Sequence, residues 1–460
     1  AGLIGGNSYQ FALYFLSMLL NGYEIALLNP RESLQQIKKR QEDLGKDWTY
    51  FYDSAIPLLK GDNLYPFGDI SEFEEGLPLA ATFHEERIRI RVFTSGSTGS
   101  SKIVQQTERS IIANVDSLIE LHRLNKGDTC IASPLPLYHV NALEFTLLCA
   151  LLSGQKAVFY AKTDWSVILR SIERDQVHIL SLFPALVDQF IRVIKDDSQI
   201  HLLKYVVTAA SSLSIEVSKA WFAKFKIPLV QGYGLSEAVN FSCLNDPYDS
   251  YENLKRWMTT YTWPSIGCPI RGNEVVILRD DGSAAQENET GELGIRGWNV
   301  MAGYQNDPDQ AVFGGNYLHT GDRGHFKKDP KTEKKFFFIE GRSKDVIKRF
   351  GETVSLREVD DELQKALMDF QLEIIGVGFE NRFSGEEIGA VISTQIPLDE
   401  NKILPALMKI ADTHRPRIIC FLDADLRTSS GKPQRWKFKS HFEKFKDSLF
   451  AKGIKFQNEN

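Results

Sequence analysis

Long apolar runs are scarce in this chain. The longest near its start, Phe11 to Leu20, is interrupted by Ser17. Ten residues fall short of the ~20 that a helix needs to cross a bilayer. No basic leader precedes the run, so it reads as a buried helix, not as a signal peptide or a transmembrane segment. Cysteine is also sparse: five residues, at 130, 149, 243, 268 and 420, an odd number with no metal-ligand spacing. This argues against a structural zinc site and fits the reduced, structural thiols of a cytoplasmic protein. An excess of positive charge is missing too. The net charge is −6, so no global basic field invites nucleic acid. The lysine-rich runs near the end, Lys432 to Lys446 and Lys452 to Lys455, read as a solvated face.

What is present begins with a loop. Ile88-Arg89-Ile90-Arg91-Val92-Phe93 alternates like a strand, and Thr94-Ser95-Gly96-Ser97-Thr98-Gly99-Ser100-Ser101-Lys102 follows it. The polar segment Thr107 to Leu121 then shows a helical pattern, so the loop is predicted to leave a strand and return toward a helix. Glycines, hydroxyls and one lysine suit phosphate oxygens. The string is not a Walker A motif, because two serines separate Gly99 from Lys102 and Ile103 follows the lysine. This argues against a P-loop NTPase.

Around this loop the chain alternates strands and helices. Residues 1 to 30 read strand, helix, strand, and residues 46 to 87 read as loops and short strands. Apolar strands are predicted at Thr129 to Ser133, Lys156 to Tyr160, His178 to Phe183, Tyr205 to Ala209 and Pro228 to Gln231. Helices at Trp165 to Arg174 and Pro184 to Ile194 lie between them. Such alternation predicts an α/β fold with a doubly wound, largely parallel sheet. From about 264 to 341 short strands with Gly/Asp turns predict a β-rich subdomain. After it comes a smaller α+β unit: a helix at Leu356 to Met368, strands at Leu372 to Val377 and Glu387 to Thr394, a helix at Lys402 to His414, a strand at Arg417 to Leu422 and a helical tail from Pro433 to Lys446.

Further motifs fall in order behind the loop. They are Gly232-Tyr233-Gly234-Leu235-Ser236-Glu237, Gly291 to Gly297 with Met301-Ala302-Gly303-Tyr304, Tyr317-Leu318-His319-Thr320-Gly321-Asp322, Gly341-Arg342-Ser343-Lys344, Lys348-Arg349-Phe350-Gly351-Glu352 and Arg427-Thr428-Ser429-Ser430-Gly431-Lys432. Chemically, Tyr233 suits a purine face and Ser236 a phosphate. Glu237 is a hard oxygen ligand suited to Mg²⁺. Asp322 can accept from both hydroxyls of a ribose. The second motif reads as tight turns between strands.

Together these strings resemble the AMP-forming adenylating enzymes: acyl-CoA synthetases, luciferases and the adenylation domains of peptide synthetases. Two positions depart from the usual loop, Ser101 where proline is common and Ile103 where glycine is common. The resemblance implies a large N-terminal domain, residues 1–341, with doubly wound mixed or parallel sheets and a β-rich subdomain. A small mobile α+β C-terminal domain, 342–460, would turn about a hinge near Lys344. It implies that Thr94, Ser95, Gly96, Ser97, Thr98, Gly99 and Lys102 hold the β- and γ-phosphates of ATP, and that Tyr233, Gly234, Ser236, Asp322 and Arg342 hold the rest of the nucleotide. Glu237 would carry Mg²⁺, Lys432 would be the catalytic lysine, and Thr98 would assist them. Lys348 and Gly351 would serve a second, thiol-transfer step.

Leu135-Pro136-Leu137-Tyr138-His139-Val140 resembles a segment of acyl- and aryl-CoA ligases. It implies an acyl pocket with His139 at its mouth and Ala209, Ala210 and Gly232 in its walls. Ala209 stands where glycine is usual, which narrows the space. No aspartate lies between 133 and 143 to pair with an ammonium group, which argues against an amino-acid substrate. The implied function is activation of a carboxylic acid to acyl-AMP, then transfer to coenzyme A. A carrier-protein phosphopantetheine is the alternative acceptor, and a non-catalytic nucleotide-binding protein is the third reading. The compact length leaves o-succinylbenzoate-CoA ligase as one subtype. The chain opens without an initiator methionine, which is expected of a trimmed chain or of a compact member of the family.

Overall fold

The computed structural model describes residues 1–53, 56, 63–68, 84–94, 102–195, 197–305, 312–342, 345–370, 372–394, 399–428, 431–450 and 453–458. Its architecture is α/β, built on four sheets. The first runs Gly303–Tyr304, Ile103–Thr107, Ile88–Phe93, Ile25–Leu28, Gly2–Ile4, Tyr50–Tyr52, Leu64–Pro66, and its last five strands are parallel. The second runs Cys268–Pro269, Phe241–Leu244, Leu229–Gly234, Tyr205–Thr208, Ile179–Leu182, Cys130–Ser133, Lys156–Phe159, again with five parallel strands. The third is antiparallel and gathers Asn273–Leu278, Gly291–Gly297, Tyr317–Lys328, Phe313–Gly314 and Lys335–Arg342. The fourth is mixed and holds the six strands from Val346–Arg349 to Lys455–Asn458.

The parallel strands form because helices cover their faces. Ile179–Leu182 and Tyr205–Thr208 are buried throughout, and the helices Trp165–Arg174 and Pro184–Val193 close over them. Asp164 caps the first of these helices through the Ser166 and Val167 amides, and Pro184 opens the second. One apolar cluster runs from Leu3 to Phe337 through the first three sheets. Two others, from Ile347 to Phe421 and from Ile375 to Phe442, line the two faces of the fourth sheet. Among the described residues no helix is long and apolar enough to cross a membrane.

The structure corrects four expectations. The loop after Phe93 does not return to a helix. It closes a hairpin, because Ile103–Thr107 pairs antiparallel with Ile88–Phe93 before the helix Glu108–Leu121 begins. Gly303–Tyr304, the end of the string read as tight turns, is itself a short strand paired with Ile103–Thr107. The helix expected to reach His414 ends at Leu407, where the Arg415 guanidinium takes the Met408 and Ile410 carbonyls that a longer helix would use. The tail is α-helical only over Arg435–Phe438 and tightens to a 3₁₀ helix over Lys439–Phe445.

Candidate active site

The loops that follow the parallel strands meet at their carboxyl ends, where open α/β sheets place their ligands. The strand Leu229–Gly234 supplies the centre. Gly232 faces the Phe241 and Leu244 side chains, and a Cβ on Gly234 would stand 1.5 Å from the Asn240 carbonyl oxygen. Only glycine fits there. After Gly234 the chain makes a 3₁₀ turn, Ser236–Ala238, and then a tight reversal at Val239, whose φ is 62° and ψ −68°. The Asn240 amide reaches back to the Ala238 carbonyl at 2.7 Å, which makes this a γ-turn. A β-branched residue in that region costs about 1–3 kcal/mol and persists only where its surroundings hold it.

Those surroundings are explicit. The Gln106 amide donates to the Ser236 carbonyl at 3.0 Å and the Val239 carbonyl at 3.3 Å. The Asn299 amide donates to the carbonyls of Ala238 at 2.9 Å and Phe241 at 3.0 Å. The Met301 amide closes on the Glu237 carbonyl at 2.8 Å. Glu237 is thereby fixed on its backbone, and the Tyr304 hydroxyl donates to its Oε1 at 2.8 Å. The Lys102 Nζ lies over the Tyr304 ring, 4.4 Å from its centroid. Thr94 and Lys102 close the base of the hairpin loop through the Thr94 amide and the Lys102 carbonyl, 2.9 Å apart. Ser95, Gly96, Ser97, Thr98 and Gly99 lie outside the described residues.

A second cluster grows from the same strand. The Tyr233 hydroxyl donates to Asp322 Oδ2 at 2.6 Å, and the Arg342 Nε lies 3.2 Å from Oδ1. Asp322 and Arg342 are register partners on neighbouring strands, which fixes the pair. Burial, then the Asp322 charge, drives the Tyr233 phenol well above its usual range, so it stays a donor. Asp322 in turn holds the Arg342 guanidinium more firmly charged. Ser236 is half-buried on the turn between the two clusters.

The third wall is the Pro-Leu-Tyr-His segment. Asn7, on the loop after the first strand, pins it by donating to the Leu135 and Tyr160 carbonyls and accepting from the Leu137 amide at 2.7 Å. His139 is half-buried beyond it. Burial first, then the Lys432 and Arg31 charges, push its imidazole down to about 4, so it is neutral at physiological pH. A cavity of about 130 Å³ opens against the same segment at Pro136 and Tyr138, and Asn7, Arg31, Lys162 and Phe183 also line it. Ala209 is buried, and Ala210 adopts a left-handed φ of 73° at the turn after its strand.

Lys432 comes from the fourth sheet's side of the chain, yet it reaches this wall. Its loop is braced by the Thr428 hydroxyl on the Lys432 amide and by Arg427 on the Gly431 carbonyl. At Gly431 an added Cβ would meet Ser211 and Phe183 at 3.1 and 3.2 Å. Arg357, on the helix Leu356–Ala366, donates across the same junction to the carbonyls of Ile339 and Leu213. Lys348 and Gly351 are not brought to the cluster. They lie on an exposed hairpin whose tip, Phe350, is 67% exposed. Lys344 lies outside the described residues. Sequence reasoning missed Asn7, Gln106, Asn299 and the chemistry of Tyr304. The first three are single amides without a motif around them, and Tyr304 stood in a string read as a turn.

The chain belongs to the AMP-binding enzyme family, whose model matches residues 1–305. Among curated relatives it is 28% identical to a sulfoacetate–CoA ligase of Cupriavidus necator, over 76% of this chain and 66% of that one. It is 26% identical to 4-coumarate–CoA ligase 3 of Oryza sativa subsp. japonica, over 77% and 66%. The chain thus spans about two thirds of these ligases. Among solved structures, the o-succinylbenzoate CoA synthetase of Bacillus subtilis with its acyl-adenylate superposes with a TM-score of 0.80. The identity is 22%, over 98% of this chain and 88% of that one. ATP-bound MatB of Rhodopseudomonas palustris gives 0.80 at 19% identity, over 97% and 89%. These likenesses establish the fold.

Proposed function

We propose that this chain is an AMP-forming acid:CoA ligase, which joins a carboxylic acid to the α-phosphate of ATP, releases pyrophosphate, and passes the acyl group to the thiol of coenzyme A. The observation that carries the reading is the packing of the Lys432 loop, at Gly431, against Phe183 and Ser211, beside the two clusters on strand Leu229–Gly234. A carboxylic acid with a pKa of roughly 4–5 is already ionised at neutral pH, so the first step needs no general base. It needs positioning and charge neutralisation. Lys432 lies between the attacking carboxylate and the α-phosphate and reduces their repulsion. Lys102 and the hydroxyl loop from Thr94 through Thr98 hold the β- and γ-phosphates. Asp322, fixed by Tyr233 and Arg342, accepts the ribose hydroxyls. Ala209, Ala210, Gly232 and the neutral His139 wall the acyl group.

One half-buried carboxylate beside the mouth of a phosphate loop suits Mg²⁺, which takes one or two carboxylates and completes its shell with phosphate oxygens and water. Glu237 would hold it, and the ion supplies charge neutralisation at the phosphates. For thiol transfer, residues 342–460 form a mobile domain that swings about Lys344. The swing withdraws Lys432 and presents Lys348 and Gly351 to the acceptor. Arg31 and Lys162 at the cavity give the phosphates of a pantetheine-bearing acceptor a cationic entry. Five reduced cysteines suit a cytoplasmic setting.

Acid-dependent ATP–pyrophosphate exchange over a panel of carboxylic acids tests the first step. Thioester formation with coenzyme A or with carrier proteins tests the second. No exchange across the panel, in protein that binds ATP, returns the chain to the non-catalytic reading. Transfer to a carrier alone replaces coenzyme A as the acceptor.

A further inference from the structure

Tyr304 touches two groups of opposite charge in two different ways. Its hydroxyl donates to Glu237 Oε1, and its ring face carries the Lys102 ammonium. The residue is buried, at 7% exposure. Its placement is set by backbone. The two-residue strand Gly303–Tyr304 pairs antiparallel with Ile103–Thr107, with Tyr304 opposite Val104. The Ala302 amide bonds the Gln105 carbonyl and the Gln305 amide bonds the Ile103 carbonyl, each at 2.9 Å. The strand that begins one residue after Lys102 therefore also carries Tyr304's pairing partner. The same strand carries Gln106, whose side chain clamps the Glu237 turn. Lys102, Tyr304 and Glu237 are tied to one short strand.

We propose that Tyr304 is a positioning residue for the nucleotide step: its hydroxyl fixes which oxygen Glu237 offers to a metal, and its ring seats the Lys102 ammonium. The inference rests on the adenylating reading above. The hydroxyl occupies Oε1 and leaves Oε2 as the oxygen aimed at a cation. A carboxylate held this way loses less rotational freedom when the metal arrives. The ring holds the ammonium by attraction between cation and π-face. Tyr304 thus touches the anionic and the cationic member of the site at once.

The test compares Tyr304→Phe with Tyr304→Leu and reads binding apart from turnover. Manganese(II), followed by electron paramagnetic resonance in the presence of ATP, reports metal affinity. Calorimetry with AMP and no metal reports the Tyr233–Asp322 cluster. Loss of a charge-assisted hydrogen bond predicts about tenfold weaker metal binding for Tyr304→Phe, with AMP affinity unchanged. Tyr304→Leu is expected to weaken metal-free ATP as well, because the ammonium loses its seat. Glu237→Gln should weaken metal binding strongly in the wild-type chain and much less in Tyr304→Phe. Metal affinity unchanged in Tyr304→Phe overturns the proposal. So does equal loss of metal and AMP, which is the mark of a structural role. A wild-type chain that binds neither ATP nor manganese overturns the adenylating reading instead. Tyr304→Phe decides alone if Tyr304→Leu does not fold.

Discussion

Gly234→Ala perturbs the centre of the site with a single methyl group. Its Cβ would stand 1.5 Å from the Asn240 carbonyl oxygen, 2.4 Å from the carbonyl carbon and 2.9 Å from the Phe241 Cα. The first of these must grow by at least about 1.5 Å to reach 3.0 Å, below which real contacts essentially never fall. Every atom in the way is backbone, so no side chain can swing aside. The Asn240 carbonyl follows the strained Val239 turn, and Asn299 and Gln106 hold that turn by the carbonyls on either side. Moving it breaks at least one of those bonds. Overpacking of this kind costs about 1–3 kcal/mol, and a lost buried hydrogen bond adds about 1 kcal/mol. The same movement displaces Glu237 and Ser236, and a displacement of about 1 Å at reacting groups is worth about a hundredfold in rate. Thermal melts should fall by several degrees, and acid-dependent pyrophosphate exchange should drop about a hundredfold. Gly453→Ala is the control, since nothing lies within 4 Å of its added Cβ. If Gly234→Ala melts and exchanges like the control, the turn is not held against Gly234 and the reasoning fails.

Lys432→Ala should slow pyrophosphate exchange about 10²–10³-fold and leave thioester formation from pre-made acyl-AMP within a few-fold; equal loss of both steps contradicts its assigned role. Asp322→Asn should weaken AMP about 10–100-fold by calorimetry with little change in the melt, because a charged acceptor shared with Arg342 is lost. An unchanged affinity would place the ribose elsewhere. His122 is buried against Tyr205, Nδ1 to hydroxyl 2.8 Å, and burial lowers its pKa to about 3. The unfolded chain binds a proton there below about pH 6.5 while the folded chain stays neutral, so stability falls with decreasing pH by about 1.4 kcal/mol per unit until about pH 3. His122→Phe removes that slope. The gap between the two urea stabilities should narrow by about 2 kcal/mol from pH 6.5 to pH 5, and parallel curves would contradict a neutral buried imidazole.

Local signals carried much of this architecture. Trp165 to Arg174 is read as a helix with the bounds the structure gives, because an aspartate cap and an apolar stripe both lie within ten residues. The parallel strands show themselves as short apolar runs between helices. Ile103–Thr107 does not, since Gln105, Gln106 and Thr107 look like a helix start. Its strand character comes from Ile88–Phe93 on one side and from Gly303–Tyr304, two hundred residues away, on the other. Tyr317–Lys328 was hidden for a similar reason. Its His-Thr-Gly-Asp centre has no alternation, and bulges at Arg323/Gly324 and Glu292/Gly294 absorb the irregularity. The motifs named Tyr233, Glu237, Asp322, Arg342 and Lys432. The amides of Asn7, Gln106 and Asn299 hold the surrounding backbone through contacts between residues more than fifty positions apart, and no single window of sequence contains them.

The docking of the Lys432 loop against Phe183 and Ser211 has a thermodynamic consequence. Under the domain swing proposed above, any ligand that touches both that loop and the wall around His139 would bind only the docked arrangement. Its apparent affinity would then be its intrinsic affinity scaled by the docked fraction, and by reciprocity it would raise that fraction by the factor that docking raises its affinity. A substitution at the junction that touches no ligand, such as one at Arg357, would therefore change the measured affinity for acid and nucleotide together and by the same factor. Chain compaction and substrate affinity would be two readings of one equilibrium.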